Sequence, residues 1–281
     1  MSHTIQDIEK IALTIREDIV RMLLAAGSGH SAGSLGLADV FAALYFGVLR
    51  IDPKKPWWED RDRLLLSNGH VCPVWYATLA EAGYFAKDLL LTLRKLGSPL
   101  QGHPVIHALP GVENSSGSLG QGLSVACGMA LAGLLKKKKY HVYCVMGDGE
   151  QQEGQVWEAY WFAGTHRISN LTVIIDRNNI QSEGYTEDIA PLEPLREKLE
   201  AFGWHVMEID GHNVESIMNS CREARAILEK PVAIIAHTIA GKDVQFMEGD
   251  FRWHAKPPNK EQAMEALKEL RTLKGKISYE S

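Results

Sequence analysis

Asp148 stands between Gly147 and Gly149, directly after the apolar run His141–Met146. A strand ending in glycine, carboxylate, glycine presents one carboxylate at a sharp turn. The glycines let the backbone come close to an anion. The helix that follows aims its first N–H groups at the same place. Thirty residues after Asp148, beyond a second apolar run at Leu171–Ile175, lies Asn178. A strand–helix–strand unit separates neighbouring strand ends by about thirty residues. Asp148 and Asn178 can therefore sit side by side at the carboxyl edge of a parallel sheet, where ligands of open α/β sheets bind. A carboxylate and an amide oxygen with few other charges suit a hard cation. Mg²⁺ takes one or two protein oxygens and completes its shell with phosphate oxygens. The pair reads as a Mg²⁺ site holding a diphosphate. Gly-Asp-Gly alone is more often a plain tight turn; the interval to Asn178-Asn179 makes the pattern specific.

Three histidines lie in glycine-containing segments upstream: His30 in Gly27–Gly36, His70 in Ser67–His70 and His103 in Gly102–Pro104. Imidazole transfers protons near neutrality, so the residue type suits acid–base work. By type alone, each is as readily a solvated loop residue.

The elements that must position these groups show in the apolar pattern. Ile5, Ile8, Ile11, Ala12, Ile15 and Ile19 recur at helical spacing, and 37–49 reads as a second helix after the Gly27–Gly36 loop. Arg63–Leu66 is a short apolar piece. His141–Met146, Leu171–Ile175, Trp204–Ile209 and Val232–Ala236 read as buried strands, with helices over Gln155–His166 and Val214–Leu228. Such alternation predicts an α/β protein, a parallel sheet with helices on both faces. Leu123–Leu135, rich in Gly, Ala and Ser, predicts a tightly packed interior helix, too short to span a bilayer. Lys136–Lys139 then places cations at its C-terminal dipole. Loops are expected near 182–194 and 249–259, and an amphipathic tail helix over Glu261–Leu273.

Composition sets the outer bounds. The 281 residues are 45% hydrophobic and 23% charged, and 30 Lys+Arg against 35 Asp+Glu give −5. Ample apolar content with a small net charge excludes general disorder. The mild negative balance argues against nucleic acid or an anionic membrane as main partner. Cys72, Cys127, Cys144 and Cys221 are widely separated and form no CxxC pair. They read as reduced, buried thiols of a cytoplasmic protein. The start, MSHTIQDIEK, has no basic segment followed by an apolar core, so it is not a secretory signal. Gly117-Ser118-Leu119-Gly120-Gln121-Gly122 has the wrong glycine order for a dinucleotide fingerprint.

Gly-Asp-Gly, about thirty residues and then Asn is the thiamine diphosphate motif. GDGEQQEGQVWEA, from Gly147, resembles its transketolase form. SGHSAGSLG (28–36), SNGH (67–70), GHP (102–104) and GSLGQGLS (117–124) also resemble transketolase segments, in family order. The match runs from about Ile15 to about Pro258. A complete transketolase is more than twice this length. The chain is similar to the N-terminal subunit of a split, two-chain transketolase.

The resemblance implies a single domain over 1–281, a thiamine diphosphate-binding fold of the diphosphate (PP) type, with the tail helix from about 261. It implies thiamine diphosphate and Mg²⁺ as cofactors. Asp148, Asn178 and the Ile180 carbonyl would hold the metal, and Gly147 and Gly149 would lie against the diphosphate. Gly117 and Leu119 would lie beside the cofactor's rings, and His70 and His254 would contact the cofactor. His30, His103 and His70 would be catalytic. Glu153 matches a subunit-interface glutamate, and a first-turn helix glutamate would read the same way. The implied activity is transfer of a two-carbon ketol unit from a ketose to an aldose. It requires a C-terminal, pyrimidine-binding partner subunit in a heterotetramer of two chains of each kind. Sugar phosphates are the implied substrates. Two stretches depart from the pattern, as does Ser118, where many full-length transketolases have proline. Asp243 replaces a glycine, which predicts a different path for its loop, and Ala255 replaces the glycine after Trp253-His254. Two rival thiamine diphosphate folds carry a similar site, the α chain of a 2-oxoacid dehydrogenase and deoxyxylulose phosphate synthase. Gln152-Glu153-Gly154 and SGHSAGSLG favour transketolase over both. A catalytically silent binding subunit is the rival of another class.

Overall fold

The computed structural model describes residues 3–279. Five parallel strands form the central sheet: β1 (Arg63–Leu66), β2 (Val142–Gly147), β3 (Leu171–Arg177), β6 (His205–Asp210) and β7 (Val232–His237), in the order β1-β2-β3-β7-β6. A two-residue hairpin, β4 (Ile180–Gln181) and β5 (Gly184–Tyr185), follows β3. The helices are α1 (Ile5–Ala26), α2 (Ala32–Gly36), α3 (Ala38–Ala43), α4 (Cys72–Glu81), α5 (Gln121–Leu135), α6 (Gly154–Thr165), α7 (Thr186–Ile189), α8 (Leu195–Ala201), α9 (Val214–Ala226) and α10 (Lys260–Tyr279).

Side chains alternate between the two faces of a strand, and the sheet uses that period to feed two cores. Leu64, Leu66, Tyr143, Val145, Ile174, Val232 and Ile234 join the core under α1, α3, α4, α9 and α10. Leu65, Val142, Cys144, Met146, Val173, Ile175, Ala233 and Ile235 join the opposite core, under α5, α6 and α8. This is the expected parallel sheet covered on both faces. The apolar runs are continuous in β1, β2, β3 and β7, which helices cover on both faces; β6, expected to be buried, lies at the sheet edge and exposes Glu208 and Asp210.

Local signals set several element ends. The Thr4 hydroxyl accepts from the Asp7 N–H at 3.1 Å, and the Asp7 carboxylate accepts from the Thr4 N–H at 2.9 Å. This capping box fixes the start of α1, which ends at Gly27 with φ of 64°. Other elements depart from the sequence reading. The helix expected over 37–49 is α3 followed by a π-helical turn at Leu44–Val48. The Gly27–Gly36 loop contains α2. The α4 helix carried no periodic signal, because it is buried on nearly every side. The tail helix runs on to Tyr279.

Two expectations are corrected. The α5 helix is not interior all round: Gly122, Leu123, Ala126, Cys127 and Ala130 are buried, while Val125 and Leu135 are 45% and 76% exposed. One side of the helix covers the sheet, and the other, with Val125 and Leu135, stays exposed among the described residues. The Lys138 ammonium does not cap α5. It pairs with Glu59 at 3.2 Å and Asp60 at 3.1 Å in the loop before β1. All four cysteines are free and buried. Among the described residues, no helix is long and apolar enough to cross a membrane.

Candidate active site

At the carboxyl edge of the sheet, the segments following β1, β2 and β3 enclose a cleft of about 260 Å³. His30, His70, Gly117, Leu119, Gly147, Asp148, Gly149, Asn178, Ile180 and His254 all line it. His103 lies at its margin, where a Cβ on Gly117 would come 3.6 Å from the ring. Every site residue named from the sequence is thus in or beside one cleft. Glu153 is exposed at the N-cap of α6 and makes no capping hydrogen bond through its side chain.

Pairing of β2 with β3 sets Gly147 opposite Asp176, which brings the two strand ends together. Asp148 is 1% exposed. Its Oδ1 accepts from the Gly149 N–H at 2.7 Å. Its Oδ2 accepts from Arg177 Nη1 at 3.0 Å and the Asn179 N–H at 2.7 Å. Burial raises the Asp148 pKa, and Arg177 with the two N–H groups pulls against it. The Asn178 amide is fixed at both ends: Nδ2 donates to Asp176 at 2.8 Å, and Oδ1 accepts from the Ile180 N–H at 2.9 Å. Asp176 is buried and also accepts from the Thr238 hydroxyl. Burial pushes its carboxyl up to about 7. Gly149 has no room for a side chain, since a Cβ there would stand 2.8 Å from that of Gln181.

The opposite wall is built from imidazoles. The ring centroids of His30 and His70 are 4.9 Å apart, those of His70 and His254 5.1 Å, and those of His30 and His254 5.6 Å. None of these three rings, nor that of His103, finds a hydrogen-bond partner among the described residues. Nδ1 of His30 is buried and unpartnered, as is Oδ1 of Asn68 in the same cleft. Burial, then the other imidazoles and Arg94, lowers the His30 pKa to about 4. His70 is held well below its ordinary value by burial and its neighbours, and His254 is lowered by burial. Burial and then Arg94 lower His103. Each of these shifts favours the uncharged form of the ring.

Asp243, which departs from the family pattern, sits in a left-handed turn. Asp243 has φ of 68°. Its carboxylate lies 3.1 Å from buried Arg16, which also holds Asp39. His212 donates from Nδ1 to Asp39 at 2.8 Å and accepts the Ile239 N–H on Nε2, also at 2.8 Å. The strain of a non-glycine residue there is met by a buried ion pair. Asp243 does not line the cleft.

Sequence reasoning missed three groups that shape the site. Arg177 grips Asp148 and also pairs with Glu187 at 2.6 Å and Glu193 at 2.9 Å. Glu150 is 2% exposed in the turn beside Asp148. Arg94 is the cation acting on His30 and His103. The position of Arg177, directly before Asn178 at a strand end, was the available signal. Glu150 and Arg94 carried none, because their partners lie in distant segments.

Residues 8–279 match the family model described as transketolase, thiamine diphosphate binding domain. The chain belongs to the transketolase family, a family of transferases, and corresponds to its thiamine diphosphate-binding part. It is 43% identical over 270 residues to the 6-deoxy-6-sulfo-D-fructose transketolase subunit SqwG of Clostridium sp. (strain MSTE9), covering 96% of this chain and 98% of that one. It is 40% identical over 266 residues to an apulose-4-phosphate transketolase subunit of Phocaeicola vulgatus, covering 95% and 94%. Human transketolase is 40% identical over 271 residues, but the match covers 42% of its length. The crystal structure of Campylobacter jejuni transketolase superposes with a TM-score of 0.88 at 36% identity, over 98% of this chain and 43% of that one. These whole-length matches are to subunit-type transketolase chains, as the sequence reading expected of a split enzyme.

Proposed function

We propose that this chain is the diphosphate-binding subunit of a two-chain transketolase that moves a two-carbon ketol unit between sugar phosphates, with thiamine diphosphate and Mg²⁺ as cofactors. The observation that carries the reading is the single cleft in which a hydrogen-bonded carboxylate–amide pair faces a cluster of imidazoles. The donor set fits Mg²⁺. Asp148 Oδ1 accepts one hydrogen bond and retains a lone pair. Asn178 adds an amide oxygen and Ile180 a backbone carbonyl. Among the described residues, no group of three or more His, Cys, Asp or Glu could hold a metal by itself. A site of this kind leaves coordination positions for phosphate oxygens, as Mg²⁺ prefers.

When bound, thiamine diphosphate supplies a carbanion that accepts the two-carbon unit. The chain's own residues bind, orient and move protons. The Gly149 N–H and His70 face the diphosphate, and Gly147 leaves room beside it. Gly117 and Leu119 form the wall against the rings, and His254 completes the cofactor side. His30 and His103 take protons from, and return them to, hydroxyl groups of the sugar. Their lowered pKa values favour the free base.

A second chain carrying the pyrimidine-binding part completes the site, in a heterotetramer with two copies of each. Support comes from the subunit names of the relatives and from the outer face of α5 and α6. Trp161 is 63% exposed there and Val125 45%, beside an apolar groove lined by Cys127, Ala159 and Phe162. Exposed apolar patches of this kind mark interaction surfaces. We place the whole chain, 1–281, in one domain and the enzyme in the cytoplasm.

The test is to tag the chain in its native host and purify it with thiamine diphosphate and Mg²⁺. Co-purifying chains are then identified by mass spectrometry. A stoichiometric partner with a pyrimidine-binding domain, and ketol transfer by the pair but not by the lone chain, is expected. Turnover by the lone chain would overturn the split-enzyme reading. An assembled but inert pair would favour a silent subunit.

A further inference from the structure

Glu150 is a buried carboxylate that the proposed chemistry does not use. Its Oε1 accepts from the Gly120 N–H at 2.6 Å and from the Ser67 hydroxyl, and its Oε2 accepts from the Gly147 N–H at 3.2 Å. The Ser67 oxygen in turn accepts from the Gly122 N–H at 3.1 Å. Three segments distant in the chain therefore meet at one side chain, and each lines the cleft. The segment after β1 carries Asn68 and His70. The turn before α5 carries Gly117 and Leu119. The turn after β2 carries Asp148 and Gly149.

No cation pairs with Glu150 among the described residues; burial, and to a lesser degree Glu153, act against its ionisation, and the three donors favour it. A buried carboxylate held only by neutral donors is a costly way to fill space. What it provides is acceptor capacity. Two oxygens meet three donors, whereas a glutamine would turn an NH₂ toward at least one of them. Gly120 has φ of 82°, and a Cβ there would stand 2.7 Å from the Gln155 side chain. Only glycine fits this turn, and Glu150 ties it to Gly147.

We propose that Glu150, with Ser67 as its relay, is a positioning residue that sets the spacing between the ring-facing and diphosphate-facing walls of the cleft before the cofactor binds. The inference rests on the cofactor assignment made under Proposed function. A pre-set spacing removes an ordering cost from binding. It matters only for a ligand that spans both walls: thiamine diphosphate does, and inorganic diphosphate touches one.

The test is calorimetric titration of the full chain with its partner, in Mg²⁺, using thiamine diphosphate and inorganic diphosphate as separate probes. Ser67→Ala removes the hydroxyl that relays Glu150 to the Gly122 N–H and leaves the Gly120 bond to Glu150 in place. It should weaken thiamine diphosphate binding about three- to tenfold and leave diphosphate binding unchanged. Glu150→Gln should weaken thiamine diphosphate about ten- to a hundredfold, the range seen when groups that orient a site are removed, and diphosphate by a smaller factor. Equal losses for both probes, or no loss in either variant, would overturn the clamp, because a general effect on stability does not discriminate between them. If Glu150→Gln fails to fold, the Ser67→Ala comparison still decides. If the unaltered complex binds neither probe, the cofactor assignment itself is wrong.

Discussion

The two walls of the cleft are built on opposite principles. Asp148, Asn178 and Arg177 are each tied down by hydrogen bonds. Asp148 accepts three hydrogen bonds, Asn178 is held by Asp176 and Ile180, and Arg177 is pinned by Asp148, Glu187 and Glu193. Across the cleft, the rings of His30, His70 and His254 pack in tilted and edge-on contacts, centroids within 5.6 Å of one another, with no hydrogen bond among the described residues. The first wall has its geometry fixed by the protein, as an anchor for a charged group requires. The second is held by packing alone and keeps its nitrogens available. The contrast separates holding from proton transfer, and mutations on the two walls should separate the same two functions.

The largest expected effect is on the anchoring wall. Asp148→Ala removes the only carboxylate of the proposed Mg²⁺ set. The metal is worth several kcal/mol to a bound diphosphate, so Mg²⁺-dependent thiamine diphosphate affinity should fall on the order of a hundredfold or more. Titration calorimetry of the assembled complex measures it, and unchanged affinity would refute the metal assignment.

On the imidazole wall the effect should move from affinity to rate. His30→Asn or His103→Asn should lower kcat of the assembled enzyme by about a hundredfold, the lower end for loss of a general acid–base group. Cofactor affinity should stay within a small factor of normal. A variant that lost affinity and kept kcat would erase the distinction between the walls.

Arg177→Met sharpens the comparison from the side of the network. It leaves the proposed ligands in place but frees Asp148 and the Glu187–Glu193 loop. Affinity for Mg²⁺ with thiamine diphosphate should drop about tenfold, as for other residues that orient a metal ligand. A wild-type affinity would show that the backbone N–H groups of Gly149 and Asn179 suffice to hold Asp148.

The smallest effect is a pH dependence of stability. The His30 pKa is about 4 in the fold and about 6.5 in an unfolded chain. Between those values the unfolded state binds more protons, so this histidine stabilises the fold above pH 6.5. Its contribution is lost as pH falls toward 4. Buried His141 is also held at about 4 and contributes with the same sign. Melting temperature of the cofactor-free chain should fall from pH 7 to pH 4, and His30→Asn should flatten the slope. An unchanged slope would mean that His30 is not buried as a free base.

Much of this molecule was legible before any coordinates. The strands, the Gly-Asp-Gly turn and the Asp148–Asn178 interval are written in local apolar runs. A buried parallel strand ends where its apolar run ends, and one strand–helix–strand unit fixes the separation of neighbouring ends. That information was enough to bring Asp148 and Asn178 to one edge, whereas Ile180 was named through the family pattern. His30, His70, His103 and His254 were named through family motifs, and nothing local in their sequence marks them as neighbours. Their convergence depends on segments far apart in the chain meeting across the sheet order β1-β2-β3-β7-β6. The same long-range assembly decided the Glu150 clamp, the Arg177 network and the left-handed turn at Asp243, whose partner Arg16 lies in the first helix. It also decided that α5 leaves an apolar face uncovered. Apolar periodicity acts over a few residues and so can be read along the chain. Polar partnerships of buried groups are settled by which surfaces the packed sheet brings together.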